Sequence, residues 1–500
     1  FSYGVESVNV MSITSELEDI FNTKLSPAFL YEHNTIKKVI DYFTEKQNDE
    51  MSIHGEEYSI KSEKMFCENN IENTDIAIIG ISGRFGHAEN MEALNKLLEK
   101  GKSAVEIIPS SRWNNQKYYS KNKALKGKYY NQYGSFIEDY KMFDAAFFNI
   151  SPDEASEMDP QQRIFLEEAW KCVEDAGYAI SNLSSTKVGV YVGAMWTMYQ
   201  LYGYDSCKKG EFKYANSSLS SIANRVSYQF NFNGPSITLD TMCSSTLTAL
   251  YLACRDILSN ECEYSIVGGV NLSLHPYKYL DLCDKKFLST DGLCRSFGEG
   301  GDGYVPGEGV GAILIKPLRQ AIIDRDHIYA VIKGIAINHG GYTGGFTIPN
   351  TNAQADVMLD ALEKANISAE EVTYIETHGT GTALGDPIEI AGLEKVYGNR
   401  KSRCKIGSIK SNLGHLEAAA GIASIAKVLL QFKNKRLYPS INAKILNKSI
   451  DWEASSLELQ QDLQEWVSKG PRVSAISSFG AGGSNAHVIL EEYQYDYNDI

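Results

Sequence analysis

The sequence lacks the features that would place the protein in a membrane or outside the cell. It contains no run of about 18 apolar residues able to span a bilayer, and its start does not have the basic-then-apolar order of a signal peptide. Its nine cysteines show neither CxxC nor zinc-ligand spacing. We therefore expect a cytoplasmic protein without a metal site, in which most thiols stay reduced and pack as small apolar side chains.

Positive charge is also scarce, because 48 Lys and Arg residues face 63 Asp and Glu residues and leave a formal net charge of −15. A surface of this sign repels nucleic acid and anionic membranes, so neither is expected as a partner. Many of the 41 glycines cluster in short runs near the C-terminal half. Such runs are typical of turns at which the backbone approaches a ligand closely.

Five hundred residues exceed one ordinary domain, and the residue pattern divides the chain into four parts. Residues 1–46 carry apolar residues at helical spacing, which predicts a small helical unit. Residues 47–73 are polar without a sustained period and are interpreted as a linker. Residues 74–493 alternate buried strands with helices, the pattern of a large α/β domain. Residues 494–500 would start the next linker, and because the chain begins with Phe1, we interpret it as a segment of a longer polypeptide.

One candidate nucleophile stands at a strand-to-helix turn. In PSITLDTMCSSTLTALYLACRDIL (235–258), a strand ends near Asp240 and a helix begins at Ser244 or Ser245. Cys243 then lies where free backbone N–H groups and the helix dipole favour an anion. This position should lower the pKa of the thiol and make it nucleophilic at neutral pH. The alternative is a buried structural cysteine, which is what we expect for the other eight.

Two histidines and a lysine occupy similar positions. In VTYIETHGTGTALGDPIEI (372–390), His378 lies where a predicted strand runs into a turn rich in glycine and threonine. In KIGSIKSNLGHLEAAAGIASIAKVLL (405–430), Lys410 and His415 precede a long alanine-rich helix. A single histidine in such a place is most often structural. Two of them, each beside glycines at a strand end, favour a shared functional site.

A glycine-rich loop near the C-terminus is a candidate for binding an oxyanion. In SSFGAGGSNAHVILEE (477–492), three glycines allow the backbone to present N–H groups at close range. His487 enters the strand that follows and is interpreted as structural.

Taken in order, these segments resemble the β-ketoacyl synthases of the thiolase superfamily, in particular those of modular type I polyketide synthases. DTMCSS is similar to the nucleophile motif, and ETHGTGTALGDP and KSNLGHLEAAAG to the two histidine motifs. FDAAFFNISPDEASEMDPQQR, GLCRSFGEGGDGYVPGEGVG and FGAGGSNAHVILEE are further signatures, so the resemblance runs from about Asp75 to Glu492. It implies an α/β fold of the thiolase-like five-layered α-β-α-β-α type with two related halves. A homodimer with active sites near its interface and a role in antibiotic biosynthesis are implied as well.

The resemblance also assigns roles by motif. Cys243 would accept the growing acyl chain from an upstream acyl carrier protein as a thioester. A malonyl-type extender on a downstream carrier would then place its pantetheine arm near Thr380 and Thr382. Neutral His378 and His415 would donate N–H groups to the extender carbonyl and stabilise the enolate left by the departing CO2.

The same resemblance implies chain elongation by decarboxylative Claisen condensation. The oxyanion formed on attack would rest on the backbone N–H groups of Cys243 and Ala481, with Lys410 supporting the histidine pair, and the ketosynthase itself would need no cofactor. One alternative is a non-elongating ketosynthase that only transfers acyl chains, although such domains often lack the histidine of the HGTGT motif. Another is a catalytically idle scaffold. A degradative thiolase would carry a second cysteine near the glycine loop, and no cysteine follows Cys404.

Two positions depart from the commonest family pattern. Met242 replaces the usual alanine before the nucleophile, which is similar to ketosynthases that use an acyltransferase in trans. The sequence leaves an acyltransferase partner in cis or in trans open. Many relatives carry a bulkier residue at the position of Ala481. The small alanine has two possible interpretations, which are room for a larger acyl chain and neutral drift.

The N-terminal unit resembles the C-terminal part of an acyl carrier protein. FSYGVESVNVMSI is similar to the phosphopantetheine site, with Glu6 in place of the more usual aspartate and Ser7 as the candidate attachment point for 4'-phosphopantetheine. LSPAFLYEHNTIKKVIDYF is similar to the last helices of a carrier, whose first helix would precede Phe1. Because carriers are acidic, a net-negative ketosynthase needs a local basic patch for docking, which the sequence does not locate.

Overall fold

The structure is a computed structural model that describes residues 7–21, 23–26, 29–33, 35–49, 75–184, 186–211 and 214–495. The predicted features at residues 1–6, most of the predicted linker and the C-terminal residues 496–500 lie outside these ranges. Among the helices of the described ranges, none combines the length and the apolar character needed to cross a bilayer.

The N-terminal segment forms three helices, α1 (Ser7–Phe21), α2 (Phe29–Glu32) and α3 (Ile36–Asp49). The hydroxyl of Thr35 accepts the backbone N–H of Lys38 at 3.2 Å and so caps α3. The rings of Phe21 and Phe43 stack with their centroids 3.9 Å apart. The predicted helical character of this segment is confirmed, and α3 continues three residues beyond residue 46.

Eleven strands pair into one continuous sheet in the order β9-β8-β7-β10-β11-β6-β1-β5-β4-β2-β3. They are β1 (Ile76–Phe85), β2 (Val188–Gly193), β3 (Ser236–Leu239), β4 (Tyr264–Asn271), β5 (Gly309–Pro317), β6 (Ala330–His339), β7 (Val372–Glu376), β8 (Cys404–Gly407), β9 (Leu457–Leu459), β10 (Val473–Phe479) and β11 (Ser484–Glu491). Two-residue strands form two separate pairs, Glu106–Ile107 with Tyr133–Gly134 and Arg436–Leu437 with Gln464–Glu465.

The sheet consists of two halves with the same topology. The order β3-β2-β4-β5-β1 in the first half matches the order β8-β7-β10-β11-β6 in the second, strand for strand along the chain. In each half only the fifth strand, β5 or β11, runs opposite to the others. The halves join where β1 pairs with β6 at Ile76–Ile78. The two related halves implied by the sequence resemblance are therefore confirmed.

Helices form three layers around these two halves. The helices α5 and α6 cover the outer face of the first half, α9 with α10 packed on it covers the second, and α7 and α12 lie between the halves. This is the predicted five-layered α-β-α-β-α arrangement. The labelled helices are α4 (Met91–Glu99), α5 (Pro160–Asp175), α6 (Ser220–Phe230), α7 (Ser245–Leu258), α8 (Tyr277–Asp284), α9 (Thr351–Ala365), α10 (Gly385–Tyr397), α11 (Lys410–Leu413) and α12 (Ala420–Asn434). Further helices span Asn115–Tyr118, Pro152–Glu157, Ile180–Leu183, Gln200–Lys208 and Leu318–Asp324, and a 3-10 turn spans Glu417–Ala419.

The central helix α12 is packed between the two halves of the fold. Its residues from Ala420 to Phe432 are all buried, as expected of a helix that is apolar on every side. Even Lys427 is buried within it, and its ammonium group pairs with Glu376 at 2.8 Å.

Because β3 and β8 hold equivalent places in the two halves, the loops that follow them meet between the halves. Those loops carry Cys243 and His415.

Candidate active site

Cys243 lies in the short loop between β3 and α7, where hydrogen bonds fix the backbone on both sides. Met242 has a φ of 57°, a left-handed conformation that side-chain-bearing residues rarely adopt. Its N–H donates to Asp240 Oδ1 at 2.8 Å, and its carbonyl accepts the hydroxyl of Ser245 at 2.6 Å. The hydroxyl of Ser478 donates to the carbonyl of Cys243 at 2.7 Å. Cys243 thus stands at the strand-to-helix turn, as predicted.

His415 reaches the sulfur directly. Its Nε2 lies 3.1 Å from Cys243 Sγ, while its Nδ1 accepts the backbone N–H of Glu417 at 3.1 Å. An imidazole whose Nδ1 accepts a hydrogen bond carries its proton on Nε2 when it is neutral. His415 therefore presents an N–H donor to the sulfur.

His378 is held in the same way by a different segment. Its Nδ1 accepts the backbone N–H of Phe479 at 3.3 Å, which again leaves the proton on Nε2. The backbone N–H groups of His378 and Gly379 each donate to a carboxylate oxygen of Glu389 at 2.7 Å. The rings of His378 and His415 meet edge to face with centroids 5.3 Å apart. Both histidines therefore act as Nε2–H donors in one cavity.

Both imidazoles are neutral. Burial lowers the pKa of His378 and of His415 well below the ordinary value, and the positive charge of Lys410 acts in the same direction. Burial disfavours the charged form of any imidazole, and a nearby cation adds to that effect.

The thiol of Cys243 does not have the lowered pKa that its position in the sequence predicts. Burial raises its pKa to about 12, and the negative charge of Glu417 contributes to the rise. The backbone N–H groups of Ala481 and Cys243 and the charge of Lys410 lower the pKa, but by less. The predicted lowering of the thiol pKa is therefore wrong, because loss of water outweighs the favourable dipoles.

Lys410 acts on the site through its charge. Its side chain is buried, and among the described residues its Nζ has no hydrogen-bond partner. Burial lowers the pKa of its ammonium group, whereas the carboxylates of Glu376 and Glu389 raise it. Lys410 does not hydrogen bond to either histidine, so its predicted support of the pair is electrostatic.

The glycine loop brings the backbone N–H of Ala481 to the sulfur. A Cβ atom on Gly480 would lie 2.5 Å from the carbonyl oxygen of Thr241, so only glycine lets this loop approach the Cys243 loop. Gly482 has a φ of 129°, which is accessible only to glycine at low cost. The backbone N–H groups of Ala481 and Cys243 therefore both lie close to the sulfur.

Thr380 and Thr382 lie on the loop between β7 and α10 and are half-exposed. Their hydroxyl oxygens are 3.2 Å apart. Thr382 Oγ1 accepts the N–H of Gly385 at 3.1 Å, and the thiol of Cys294 donates to the carbonyl of Thr380 at 3.2 Å. Hydroxyls fixed in this way can receive the amide groups of an extended ligand.

The Cys243, His378 and His415 side chains place one ligand atom each within 4.8 Å of one another, a spacing that could hold a metal ion. Metal-binding histidines offer a free nitrogen to the ion and donate their other N–H to an acceptor. Here Nδ1 of each ring faces a backbone N–H donor, which puts the proton on the nitrogen that would bind the metal. The arrangement suits hydrogen-bond donation rather than metal ligation.

Sequence reasoning missed several residues that build this site. Glu389, Phe479 and Ser478 orient His378 or the Cys243 loop, and the backbone of Glu417 orients His415. Their signal was present, because all four lie inside the quoted motifs. Ser7 is the first residue of α1, and its side chain lies outside the described part of the chain. His487 is buried between Tyr397 and Ser477, as expected of a structural residue.

A thiolase-like fold with a cysteine and two neutral histidines between its halves is the arrangement of a condensing enzyme. The sequence matches the models for the β-ketoacyl synthase N-terminal domain at residues 73–321 and C-terminal domain at residues 329–444. Residues 1–43 match the phosphopantetheine attachment site. The chain belongs to the β-ketoacyl synthase family and is a ketosynthase preceded by part of an acyl carrier domain.

Known proteins with similar sequences are polyketide synthases. The chain is 46% identical to polyketide synthase PksL of Bacillus subtilis over 98% of its length and 50% identical to ThaG of Burkholderia thailandensis over 84%. It spans only 12% of PksL and 8% of ThaG.

Solved ketosynthase structures share the fold. The oxazolomycin ketosynthase domain OzmH KS7 of Streptomyces albus has a TM-score of 0.83 and is 48% identical, with 84% of this chain and 76% of that one covered. The ketosynthase from module 6 of the bacillaene synthase of Bacillus subtilis has a TM-score of 0.79 and is 41% identical, with 84% and 72% covered.

Proposed function

We propose that this ketosynthase extends a polyketide chain by decarboxylative Claisen condensation of an acyl-Cys243 thioester with a malonyl-type extender on an acyl carrier protein. One observation carries the proposal. The Nδ1 atoms of His378 and His415 both accept backbone N–H groups, so two Nε2–H donors share the cavity with Cys243 Sγ. Paired donors of this kind stabilise an enolate oxygen.

The first step is acyl transfer. The sulfur of Cys243 attacks the thioester carbonyl of an acyl carrier, and the thiol proton passes to the departing pantetheine sulfur. The Nε2–H of His415, 3.1 Å from Sγ, stabilises the sulfur anion as it forms. The N–H groups of Cys243 and Ala481 receive the carbonyl oxygen, which becomes an oxyanion in the transition state.

The second step breaks one carbon–carbon bond and makes another. The malonyl C–CO2 bond cleaves, CO2 leaves, and the electron pair forms an enolate whose oxygen accepts N–H groups from His378 and His415. The enolate carbon attacks the acyl-Cys243 carbonyl. Collapse of the oxyanion then expels the Cys243 sulfur, which takes up a proton and leaves a β-ketoacyl group on the carrier.

Acyl transfer without elongation is the alternative function, and it needs only Cys243 and the oxyanion hole. The backbone N–H of Phe479 and the carboxylate of Glu389 position His378, a residue that acyl transfer does not use. A site that retains these contacts favours elongation.

The proposal is tested by separating decarboxylation from condensation. We expect His378→Ala to lower malonyl-carrier decarboxylation roughly 10²–10³-fold, the typical effect of losing one preorganised donor. Cys243→Gln should still release CO2 but form no β-ketoacyl product. The measurements are CO2 release and mass spectrometry of the carrier.

His87→Ala is the matched control, because His87 is exposed on the surface and its loss should change neither measurement. Undiminished CO2 release by His378→Ala, with no elongated product from the wild-type enzyme, would instead establish acyl transfer as the activity.

The domain organisation forms part of the proposal. We place a partial carrier at residues 1–46, a linker at 47–73 and the ketosynthase at 74–493, with residues 494–500 opening the next linker. The carrier-type match at residues 1–43 supports Ser7 as the 4'-phosphopantetheine attachment point. This carrier would be the upstream acyl donor, and a second, downstream carrier would bring the extender.

Assembly and location complete the proposal. A homodimer is supported by β3, the last strand of the sheet, which pairs only with β2 in the described part of the chain. The extender would come from an acyltransferase in cis or in trans, and the product would belong to antibiotic biosynthesis. The eight cysteines of the described ranges all carry free thiols, which supports a reducing cytoplasm.

A further inference from the structure

A lysine-rich surface loop contrasts with the acidic chain around it. We define the lysine loop as residues 117–128, in which every charged side chain is a lysine and no acidic residue occurs. Four of these lysines are exposed and the fifth is half-buried. Leu125 lies among them with 48% of its surface exposed. The five lysines of the loop are Lys117, Lys121, Lys123, Lys126 and Lys128.

The loop is held on a rigid base. Its ends are tied together, because the N–H of Tyr129 donates to the carbonyl of Tyr118 at 2.9 Å and the N–H of Ser120 donates to the carbonyl of Tyr129 at 3.0 Å. The Tyr129 ring is fully buried, and its hydroxyl accepts the indole N–H of Trp113 at 2.9 Å. The lysines therefore project from a fixed platform, which lowers the entropy cost of binding a partner.

A short chain of contacts joins the lysine loop to the loop that carries Thr380 and Thr382. Lys123 Nζ is 3.9 Å from Asp302 Oδ2. The next residue along the chain, Gly303, donates its N–H to the carbonyl of Gly381 at 3.3 Å. Gly381 stands between Thr380 and Thr382. A carrier seated on the lysine loop would thus have its arm next to Thr380 and Thr382.

Four other basic side chains lie at the opposite edge of the sheet or are already paired. Arg400 and Lys401 precede β8, at the amino ends of the strands, whereas the active-site loops follow the carboxyl ends. Lys405 pairs with Glu458 at 2.7 Å, and Arg436 pairs with Glu99 at 2.6 Å. The contact of Lys123 with Asp302 is longer, at 3.9 Å, so the lysine loop keeps more unpaired positive charge than these four residues do.

The chain itself contains a segment of the complementary charge. Residues 1–43, which match a phosphopantetheine attachment domain, hold six acidic and three basic side chains. Within α1, which starts at Ser7, all the charged residues are acidic. The rest of a chain with a net charge of −15 would repel such a helix. A local cluster of lysines removes that repulsion and guides the approach.

We propose that the lysine loop is the docking surface for the upstream acyl carrier domain, which delivers its acyl chain to Cys243. Lysine side chains contact the acidic face of the carrier, and Leu125 supplies an apolar contact at the centre. This inference rests on the proposed function, because it takes acyl transfer to Cys243 as the event that docking serves.

The test uses the full synthase polypeptide, with its complete carrier loaded at Ser7 with a hexanoyl-phosphopantetheine arm. We expect the triple variant Lys121→Glu/Lys123→Glu/Lys126→Glu to slow single-turnover hexanoyl transfer to Cys243 at least tenfold at low salt. Mass spectrometry of the Cys243 peptide measures this transfer. The difference should shrink in about 1 M salt, where the Debye length is about 3 Å. Loading from hexanoyl-N-acetylcysteamine, which needs no docking, should stay unchanged.

The matched control is Lys187→Glu/Lys401→Glu/Lys469→Glu, which makes the same charge change with exposed lysines at the amino ends of β2, β8 and β10. An equal loss in the control would show an effect of net charge and overturn the docking site. Unchanged transfer from the upstream carrier in the lysine-loop variant would also overturn the docking site. The same holds if the variant slows only the reaction with the extender carrier. If the wild-type chain takes up hexanoyl from neither donor, the proposed function fails and the docking site with it.

Discussion

At the scale of single residues, the site depends on which nitrogen of each imidazole is already occupied. Backbone N–H groups of Phe479 and Glu417 occupy Nδ1 of His378 and His415, and burial keeps both rings neutral. Two backbone amides thus decide that these rings donate hydrogen bonds rather than bind protons or metal. The chemistry of the site is set by main-chain atoms as much as by the side chains.

His487 shows how burial of a neutral imidazole couples to stability. Burial lowers its pKa to about 3, whereas an unfolded chain has a histidine pKa of about 6.5. As pH falls below about 6.5, the unfolded state binds a proton that the folded state does not bind. The contribution of His487 to the unfolding free energy is therefore present above that pH and is lost on acidification. We expect the wild type to lose about 2 kcal/mol more unfolding free energy than His487→Gln between pH 7.5 and pH 5.

Urea unfolding at the two pH values measures this difference, and the glutamine retains groups that can bond Tyr397 and Ser477. Because both proteins share all other titrating groups, the double difference isolates His487. Equal losses in the two proteins would show that His487 is solvated or paired in a way that the structure does not contain.

At the scale of secondary-structure elements, the nucleophile depends on how closely β2 packs on the start of α7. A Cβ atom on Gly193, the last residue of β2, would lie 2.7 Å from the backbone nitrogen of Thr246 and 2.8 Å from the carbonyl carbon of Ser245. Those atoms belong to the first turn of α7, two and three residues beyond Cys243. Only a glycine at position 193 leaves room for the first turn of α7.

We expect Gly193→Ala to push the first turn of α7 away from the sheet. Overpacking of this kind costs about 1–3 kcal/mol of unfolding free energy, and the displaced Cys243 should accept acyl groups at least tenfold more slowly from a small thioester. Denaturant unfolding and mass spectrometry of Cys243 acylation measure the two effects.

Gly470→Ala serves as the control, because a Cβ there would meet no atom within 4 Å and neither quantity should change. Acylation of Gly193→Ala at the wild-type rate would show that the position of α7 does not control the nucleophile.

At the scale of the whole molecule, two topologically equivalent halves place the nucleophile on one side and both histidines on the other. Cys243 follows β3 and His415 follows β8, the equivalent third strands of the two halves, while His378 follows β7. Within the described residues, the same architecture leaves β3 as the last strand of the sheet, a few residues from Cys243. An open edge at this place can pair with the same edge of a second copy.

Ile237 tests the proposed dimer. It lies on β3 with 37% of its surface exposed, and an outward-facing lysine on an edge strand opposes pairing. We expect Ile237→Lys to raise the dimer dissociation constant at least tenfold in analytical ultracentrifugation. Val467→Lys, at a side chain that is 82% exposed, should leave it unchanged. A wild-type chain that sediments as a monomer would contradict the dimer altogether.

The sequence by itself determined the fold class and the candidate residues. Strand and helix periods follow from local burial patterns, and the motifs around Cys243, His378 and His415 specify a ketosynthase because their residue types and order are distinctive. The structural role of His487 was also predictable, since it lies within an apolar strand. These features depend on residues close together in the chain.

The tertiary structure alone decided the electrostatics and the supporting contacts. The raised pKa of Cys243 comes from burial between two halves and from Glu417, which is 174 residues away in the sequence. The fixed protonation of His378 comes from the N–H of Phe479, on another strand. Local sequence cannot predict such effects, because desolvation and hydrogen-bond partners depend on which distant segments the fold brings together.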